Sequence, residues 1–195
     1  MQEHNHSPGE ECAACKYGME RVFEWEQEQV DKHGWFTHFV GETEEHKVGP
    51  MGVDFHTHGI YFKYGHPDLQ IVLPINPDLA NGLFWTCVRH IQNGKSFLPW
   101  DTATKVVGNG YRVKFIPVIE GDGDSRRHVL RIIIPDADGH LDSNNLCGQY
   151  VEQYADLNES LLPTSLKEMK LGSDSDLKKF YWAAPGLKDL PPELA

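Results

Sequence analysis

Apolar residues at helical spacing and runs of β-prone residues divide this chain into helices and strands. Between residues 76 and 93 the apolar positions recur with the helical period, which predicts a helix with one buried face. That face would contain Leu79, Ala80, Leu83, Phe84, Cys87, Val88 and Ile91. Asn76 is a favourable N-cap residue and Pro77 a favourable first helical residue, so the helix should begin there.

Six other segments have the composition of β-strands. They cover residues 35–40, 53–62, 69–75, 104–107, 111–119 and 129–134. A further helix is predicted over residues 14–33, and its apolar face would contain Met19, Val22, Phe23 and Val30. One helix, three strands, one helix and three more strands predict an α+β domain with helices packed on a mainly antiparallel sheet.

The length of 195 residues fits a single domain with additional segments at its ends. We expect a polar lead over residues 1–11 and the α+β domain over residues 12–150. Residues 151–195 should form a helical and proline-rich extension.

The formal net charge of −11 argues against a nucleic-acid partner and against binding to an anionic membrane. No apolar run approaches the roughly 20 residues needed to cross a bilayer. The first residues lack the basic and apolar parts of a secretory signal. Four cysteines, two of them in a CxxC pair, fit a reducing compartment. We therefore expect a soluble cytoplasmic protein, whose oligomeric state the composition does not predict.

The segment 53–69 contains several ionisable residues that could bind a metal or transfer a proton. His56 and His58 are two residues apart in a predicted strand, so they should share a face, and His66 and Asp68 follow within a turn. Zinc or another divalent metal needs three or four such ligands converging on one point. The same histidines could instead bond to backbone groups and brace the turn. The spacing matches no established metal motif such as HExxH, so both interpretations stay open.

Cys12 and Cys15 form the CxxC pair and supply two ligands for a metal such as zinc. A structural zinc site would need two more ligands, which Cys147 and one of His4, His6 or His33 could supply. The alternatives are a reactive thiol at a helix start or two cysteines without a special role. We expect Cys12 and Cys15 to lie close enough in space to share a ligand.

Two acidic, glycine-containing stretches at residues 120–125 and 135–139 are typical of turns. Arg126, Arg127 and Arg131 come soon after the first of them. These arginines could bind a phosphate or carboxylate ligand, but we expect neighbouring acidic side chains to be their partners.

Several short motifs in a fixed order resemble a bacterial family, domain-of-unknown-function family 4262. They are CAAC (12–15), HGW (33–35), HTHGI (56–60), GHPDL (65–69) and RIIIPDADG (131–139). The resemblance covers about residues 12–141 and implies a fold and domain limits without an established activity. More distantly, THGI followed by PDLQIVLP and a helix is similar to suppressor-of-fused-like domains, which are mostly binding or immunity proteins.

Two functions follow from these observations. The first is an interaction or regulatory module, immunity-like, that binds a protein partner, and the lack of a complete catalytic motif favours it. The alternative is a small metal-dependent hydrolase that uses the histidine strand, with zinc or another divalent metal as cofactor. Both place the functional pocket at His56, His58, His66 and Asp68, and we expect His58 and His66 to lie in the same pocket.

Overall fold

The computed structural model describes residues 16–42, 48–120 and 127–155, which include every segment predicted to be a strand. The strand predicted over residues 104–107 lies instead at Thr102–Thr104, because the left-handed backbone of Lys105, with a φ of 67°, ends it. The helices are α1 (Met19–His33), α2 (Ile60–Tyr64) and α3 (Pro77–Gln92), followed by a 3-10 helix (Gly148–Tyr154). The strands are β1 (Phe36–Gly41), β2 (Val53–His58), β3 (Asp68–Ile71), β4 (Thr102–Thr104), β5 (Arg112–Glu120) and β6 (Arg127–Ile133).

All six strands join one sheet in the order β1-β2-β3-β6-β5-β4. Neighbouring strands are antiparallel except β3 and β6, which run parallel at the centre. The chain must therefore cross from β3 to β6 through α3 and the β4–β5 hairpin. The predicted α+β domain with a mainly antiparallel sheet is confirmed.

Helix α3 packs its apolar stripe on one face of this sheet. The Asn76 side chain accepts a hydrogen bond from Asp78 N at 2.8 Å, and Pro77 is the first helical residue, as predicted. Leu83 and Phe84 are buried, but Leu79 is 54 % exposed, so its predicted place in the core was wrong. At 3.6 residues per turn, Leu79 lies roughly 110° from the centre of the stripe.

The apolar face predicted for the first helix does not enter the core. Met19, Phe23 and Val30 of α1 are exposed, and no described side chain of this helix is buried. The core contact in this part of the chain comes from Trp35, which is 2 % exposed. It directly follows Gly34, the C-cap residue of the helix.

The histidine strand is shorter than predicted, because β2 ends at His58 and α2 starts at Ile60. Gly59 between them has a φ of 96°. A Cβ atom at this position would lie 2.7 Å from Gly34 O, so only glycine fits the turn. The turn redirects the chain and removes residues 60–62 from the sheet.

The predicted boundary at residue 150 falls inside the 3-10 helix. Gln153 of this helix is fully buried and bonds to both backbone groups of Ile134. Residues up to 155 therefore pack on the α+β domain, and the rest of the predicted extension lies outside the described residues.

Within the described part of the chain, no helix combines the length and the apolar character needed to cross a membrane.

Candidate functional site

Side chains alternate between the two faces of β2, and this alternation creates the site. Phe55 joins the core under α3, whereas Asp54, His56 and His58 lie on the opposite face of the sheet. Neighbouring strands add further ionisable side chains there. We call this cluster the histidine face; it consists of His38, Asp54, His56, His58, Asp68, Glu120 and Arg127.

Three imidazoles converge at the β1–β2 edge of this cluster. His38 on β1 is the register partner of His56, and their ring centroids are 5.0 Å apart. The centroids of His56 and His58 are 4.8 Å apart. One nitrogen from each of the three rings lies within 4.8 Å of the others. Because His38 is exposed while His56 is buried, the group opens to solvent on one side.

Two carboxylates flank the buried member of the trio. His56 Nδ1 lies 2.7 Å from Glu120 Oε1 and 3.2 Å from Asp54 Oδ2. These are ion-pair distances, but the ring N–H does not point well enough at either oxygen for a hydrogen bond. Burial by itself lowers the pKa of His56, yet the contacts with Asp54 and Glu120 outweigh it and raise that pKa to about 9. The protonated, positively charged form of His56 is thus favoured near neutral pH.

His58 has the opposite electrostatic environment. Arg127 Nη1 donates to His58 Nδ1 at 3.1 Å, so the neutral ring carries its proton on Nε2. Burial, followed by the charge of Arg127 and the neighbouring histidines, lowers the pKa of His58 to about 3. Phe36 stacks on the ring with a centroid distance of 5.0 Å and fixes its plane. His58 is therefore a neutral, oriented imidazole.

Arg127 holds the acidic members together. Its Nη2 lies 2.6 Å from Glu120 Oε2, and its Nη1 lies 3.4 Å from Asp68 Oδ2. The expectation that Arg127 would pair with neighbouring acids is confirmed. Arg131 instead donates to Gln70 Oε1 and to two backbone carbonyls, and Arg126 lies outside the described residues.

Asp68 connects the site to the turn after β2. Its Oδ1 accepts hydrogen bonds from Thr57 Oγ1 at 3.0 Å and Ile60 N at 3.1 Å. Burial raises the pKa of Asp68 to about 6, although the Arg127 charge opposes this shift. Asp68 therefore braces the turn, and Arg127 links its carboxylate to His58.

His66 does not lie with His58, so the predicted shared pocket is corrected by the structure. Its Nε2 accepts a hydrogen bond from Phe97 N at 3.1 Å, and its Nδ1 lies 2.7 Å from Pro67 O. Phe97 belongs to the core on the α3 side of the sheet, opposite the histidine face. Both ring nitrogens are occupied by backbone groups, as in the bracing alternative. Burial lowers the pKa of His66 to about 4, which keeps the ring neutral.

Sequence reasoning placed three of the seven members, His56, His58 and Asp68, in the functional pocket and predicted acidic partners for Arg127. It did not place His38, Asp54 or Glu120 there. Glu120 ends β5 and is the register partner of Arg127, which begins β6. His38 reaches the site only because β1 pairs with β2 in a register that places it beside His56. Such registers depend on loops whose geometry no local pattern specifies.

Two overlapping groups have the donor atoms for a metal. The first is His38, His56 and His58, and the second is Asp54, His56 and Glu120. Imidazole nitrogens suit zinc and similar transition metals, and a carboxylate behind a ligating histidine is a common outer partner. Cys12 and Cys15, the other predicted ligands, lie outside the described residues.

Comparison with known proteins identifies the family but no activity. No curated protein and no solved structure matches this chain. A family model, described as a domain of unknown function (DUF4262), matches residues 29–145. The match spans β1 to β6 and therefore every residue of the histidine face. The chain belongs to the DUF4262 family.

Proposed function

We propose that the histidine face is the site of a metal-dependent hydrolase, in which His38, His56 and His58 hold zinc or a similar divalent metal. The observation that carries this proposal is the convergence of three imidazoles backed by two carboxylates at the buried one. Isolated buried histidines are usually satisfied by backbone groups, as His66 is. Three rings whose nitrogens lie within 4.8 Å of one another, with one ring open to solvent, are better suited to share a cation.

The charges support a cation at this position. Asp54 and Glu120 both face His56 Nδ1, while Arg127 contacts Glu120 and Asp68. In the absence of a metal, protonated His56 supplies the positive charge between the two carboxylates. With a metal on Nε2, His56 would keep its proton on Nδ1, where the negative charges of Asp54 and Glu120 lie 3.2 and 2.7 Å away and stabilise it.

Each remaining residue has a positioning role. Arg127 holds Glu120 beside His56, and Phe36 fixes the ring plane of His58. For His58 to bind through Nε2, the proton must leave that nitrogen and the contact with Arg127 Nη1 must change. That guanidinium nitrogen still has Thr57 O at 2.9 Å as an acceptor, so the change leaves no buried donor unpaired.

A bound metal with an open position lowers the pKa of a water ligand and so supplies a hydroxide nucleophile near neutral pH. His38, the exposed member of the trio, lies where solvent and substrate can enter. The reaction class that fits this arrangement is hydrolysis of an ester or phosphoester.

The direct test of this function is turnover of small chromogenic probes. Metal-stripped protein and protein reloaded with Zn²⁺ or Mn²⁺ would be assayed with p-nitrophenyl acetate and bis(p-nitrophenyl) phosphate. We expect metal-dependent hydrolysis of at least one probe, lost in His56→Ala and retained in His33→Ala, a histidine outside the cluster that packs on Trp85. Metal binding without turnover of either probe would reject the hydrolase and leave a metal-binding module.

A protein-interaction role is the second candidate, and the surface of α1 favours it. Phe23 is 59 % exposed and Met19 is 49 % exposed one turn before it on the same helix. A cluster of large, solvent-exposed apolar side chains is typical of a protein contact surface. Phe23→Glu should abolish binding of a partner while leaving metal binding at the histidine face unchanged, which separates the two roles.

A further inference from the structure

A second group of metal-ligating side chains lies in the loop that follows β6. Asp136, His140 and Cys147 each offer one donor atom, and these atoms lie within 4.8 Å of one another. The loop starts at the carboxyl end of β6, whereas Arg127 of the histidine face begins that strand. Seven residues at about 3.3 Å each separate the two places by roughly 20 Å, so they are distinct sites.

Asp136 is the fixed centre of this loop. Its side chain is 3 % exposed, and its Oδ1 accepts hydrogen bonds from Asp138 N at 3.0 Å and His140 N at 2.9 Å. Its Oδ2 accepts one from Cys147 N at 3.2 Å. Three backbone donors therefore hold the carboxylate in place and bring two distant parts of the loop together.

The other two side chains lie at the surface around this carboxylate. His140 Nδ1 is 3.1 Å from Asp136 Oδ2, and the His140 side chain is 44 % exposed. Cys147 is a free, exposed thiol, and its Sγ donates a long, weak hydrogen bond to Asn145 O at 3.9 Å. Both groups can move by rotation of their side chains without unfolding the loop.

We propose that Asp136, His140 and Cys147 form a second site for a thiophilic divalent metal such as zinc. A carboxylate, an imidazole and a thiolate are all established zinc ligands, and three protein ligands leave a fourth position open. The metal would lie between His140 Nδ1 and Asp136 Oδ2, which are now 3.1 Å apart. His140 would bind through an unprotonated Nδ1 with its ring proton on Nε2, and Cys147 would release its thiol proton to solvent. The turn around Asp136 pre-forms the site, because the least mobile ligand is already held by backbone groups.

This proposal does not depend on the function of the histidine face, and it can be tested separately. Co²⁺ gives an intense charge-transfer absorption in the near ultraviolet only when a thiolate binds it, and the histidine face contains no cysteine. A host variant with Cys12→Ser and Cys15→Ser removes the competing CxxC pair from the full-length chain.

We expect the host to show the thiolate band on titration with Co²⁺ and the further variant Cys147→Ser to lose it. His140→Ala should weaken Co²⁺ affinity at least about 10-fold, since even outer-shell losses reach that size. Asp138→Asn is the matched control, because it removes an exposed carboxylate from the same turn and should leave the affinity unchanged.

Two results would overturn the site. The first is a folded host, judged by circular dichroism, that shows no thiolate band; a band present in the wild type would then belong to Cys12 and Cys15. The second is a band that persists with unchanged affinity in His140→Ala, which would reduce the site to a single cysteine.

Discussion

At the scale of single residues, the surroundings of three histidines set their protonation states: His56 is charged, and His58 and His66 are neutral for different reasons. Asp54 and Glu120 favour the charged form of His56, whereas burial and then the charge of Arg127 keep His58 neutral. His66 is neutral because the core encloses it and backbone groups occupy both nitrogens. The sequence grouped these histidines by proximity along the chain, but their chemistry depends on the groups that surround each ring: carboxylates at His56, a guanidinium at His58 and backbone groups at His66.

The buried hydroxyl of Thr57 links β2 to β3, and its loss should be costly. Thr57 Oγ1 accepts from Leu69 N at 2.8 Å and donates to Asp68 Oδ1 at 3.0 Å. Thr57→Val keeps the volume but leaves a buried N–H without its partner, so it should lower the unfolding free energy by about 1–3 kcal/mol. Chemical denaturation measures this, with Thr102→Val at an exposed strand position as the control. A loss below about 0.5 kcal/mol would show that the hydroxyl does not brace the strands.

His66 should make stability depend on pH below neutrality. Burial lowers its folded pKa to about 4 from the ordinary value of 6.5, so only the unfolded chain takes up the proton between these values. The contribution of neutral, buried His66 to the free energy of unfolding is therefore complete above about pH 6.5 and is lost as the pH falls towards 4. The stability difference between wild type and His66→Gln should therefore shrink over that range in denaturation experiments. Asp68 titrates in both proteins, so its effect cancels in the comparison. A stability difference that stays constant with pH would contradict the burial of a neutral His66 ring.

At the scale of elements, local patterns predicted which segments form helices and strands, but not which side chains reach the core. The cap at Asn76 and the stripe of α3 follow from sequence alone, because both depend on residues within one helix. The exposure of the apolar residues of α1 could not be predicted, since it depends on where that helix lies relative to the sheet. The end of β2 at His58 depends on Gly59, whose close approach to Gly34 joins two segments distant in sequence.

Two leucines of α3 provide a matched test of its packing. Leu83 is 5 % exposed, and Leu83→Ala should lower the unfolding free energy by about 2–5 kcal/mol because it leaves a cavity in the core. Leu79 lies in the same helix but is 54 % exposed, so Leu79→Ala should change the unfolding free energy by less than about 0.5 kcal/mol. Equal effects on the denaturation midpoint would show that the helix faces the sheet differently.

At the scale of the whole molecule, the histidine face is a product of sheet topology. Its members come from β1, β2, β3, β5 and β6, and the strand order places β3 and β6 side by side at the centre. The hairpin of β5 and β6 then brings Glu120 and Arg127 to the residues of β2. The sequence pointed to His56 and His58, but the carboxylates that define their chemistry required the complete strand order.

The central claim is that the histidine face binds a divalent metal through His38, His56 and His58, and metal content tests it most directly. The measurement uses protein purified without a histidine tag, in which Cys12, Cys15 and Cys147 are replaced by serine, saturated with Zn²⁺ and dialysed before elemental analysis. We predict one bound zinc per chain, lost when His38 and His58 are both replaced by alanine and retained in His33→Ala. A folded serine variant that retains no zinc, or zinc that persists without His38 and His58, would contradict the claim.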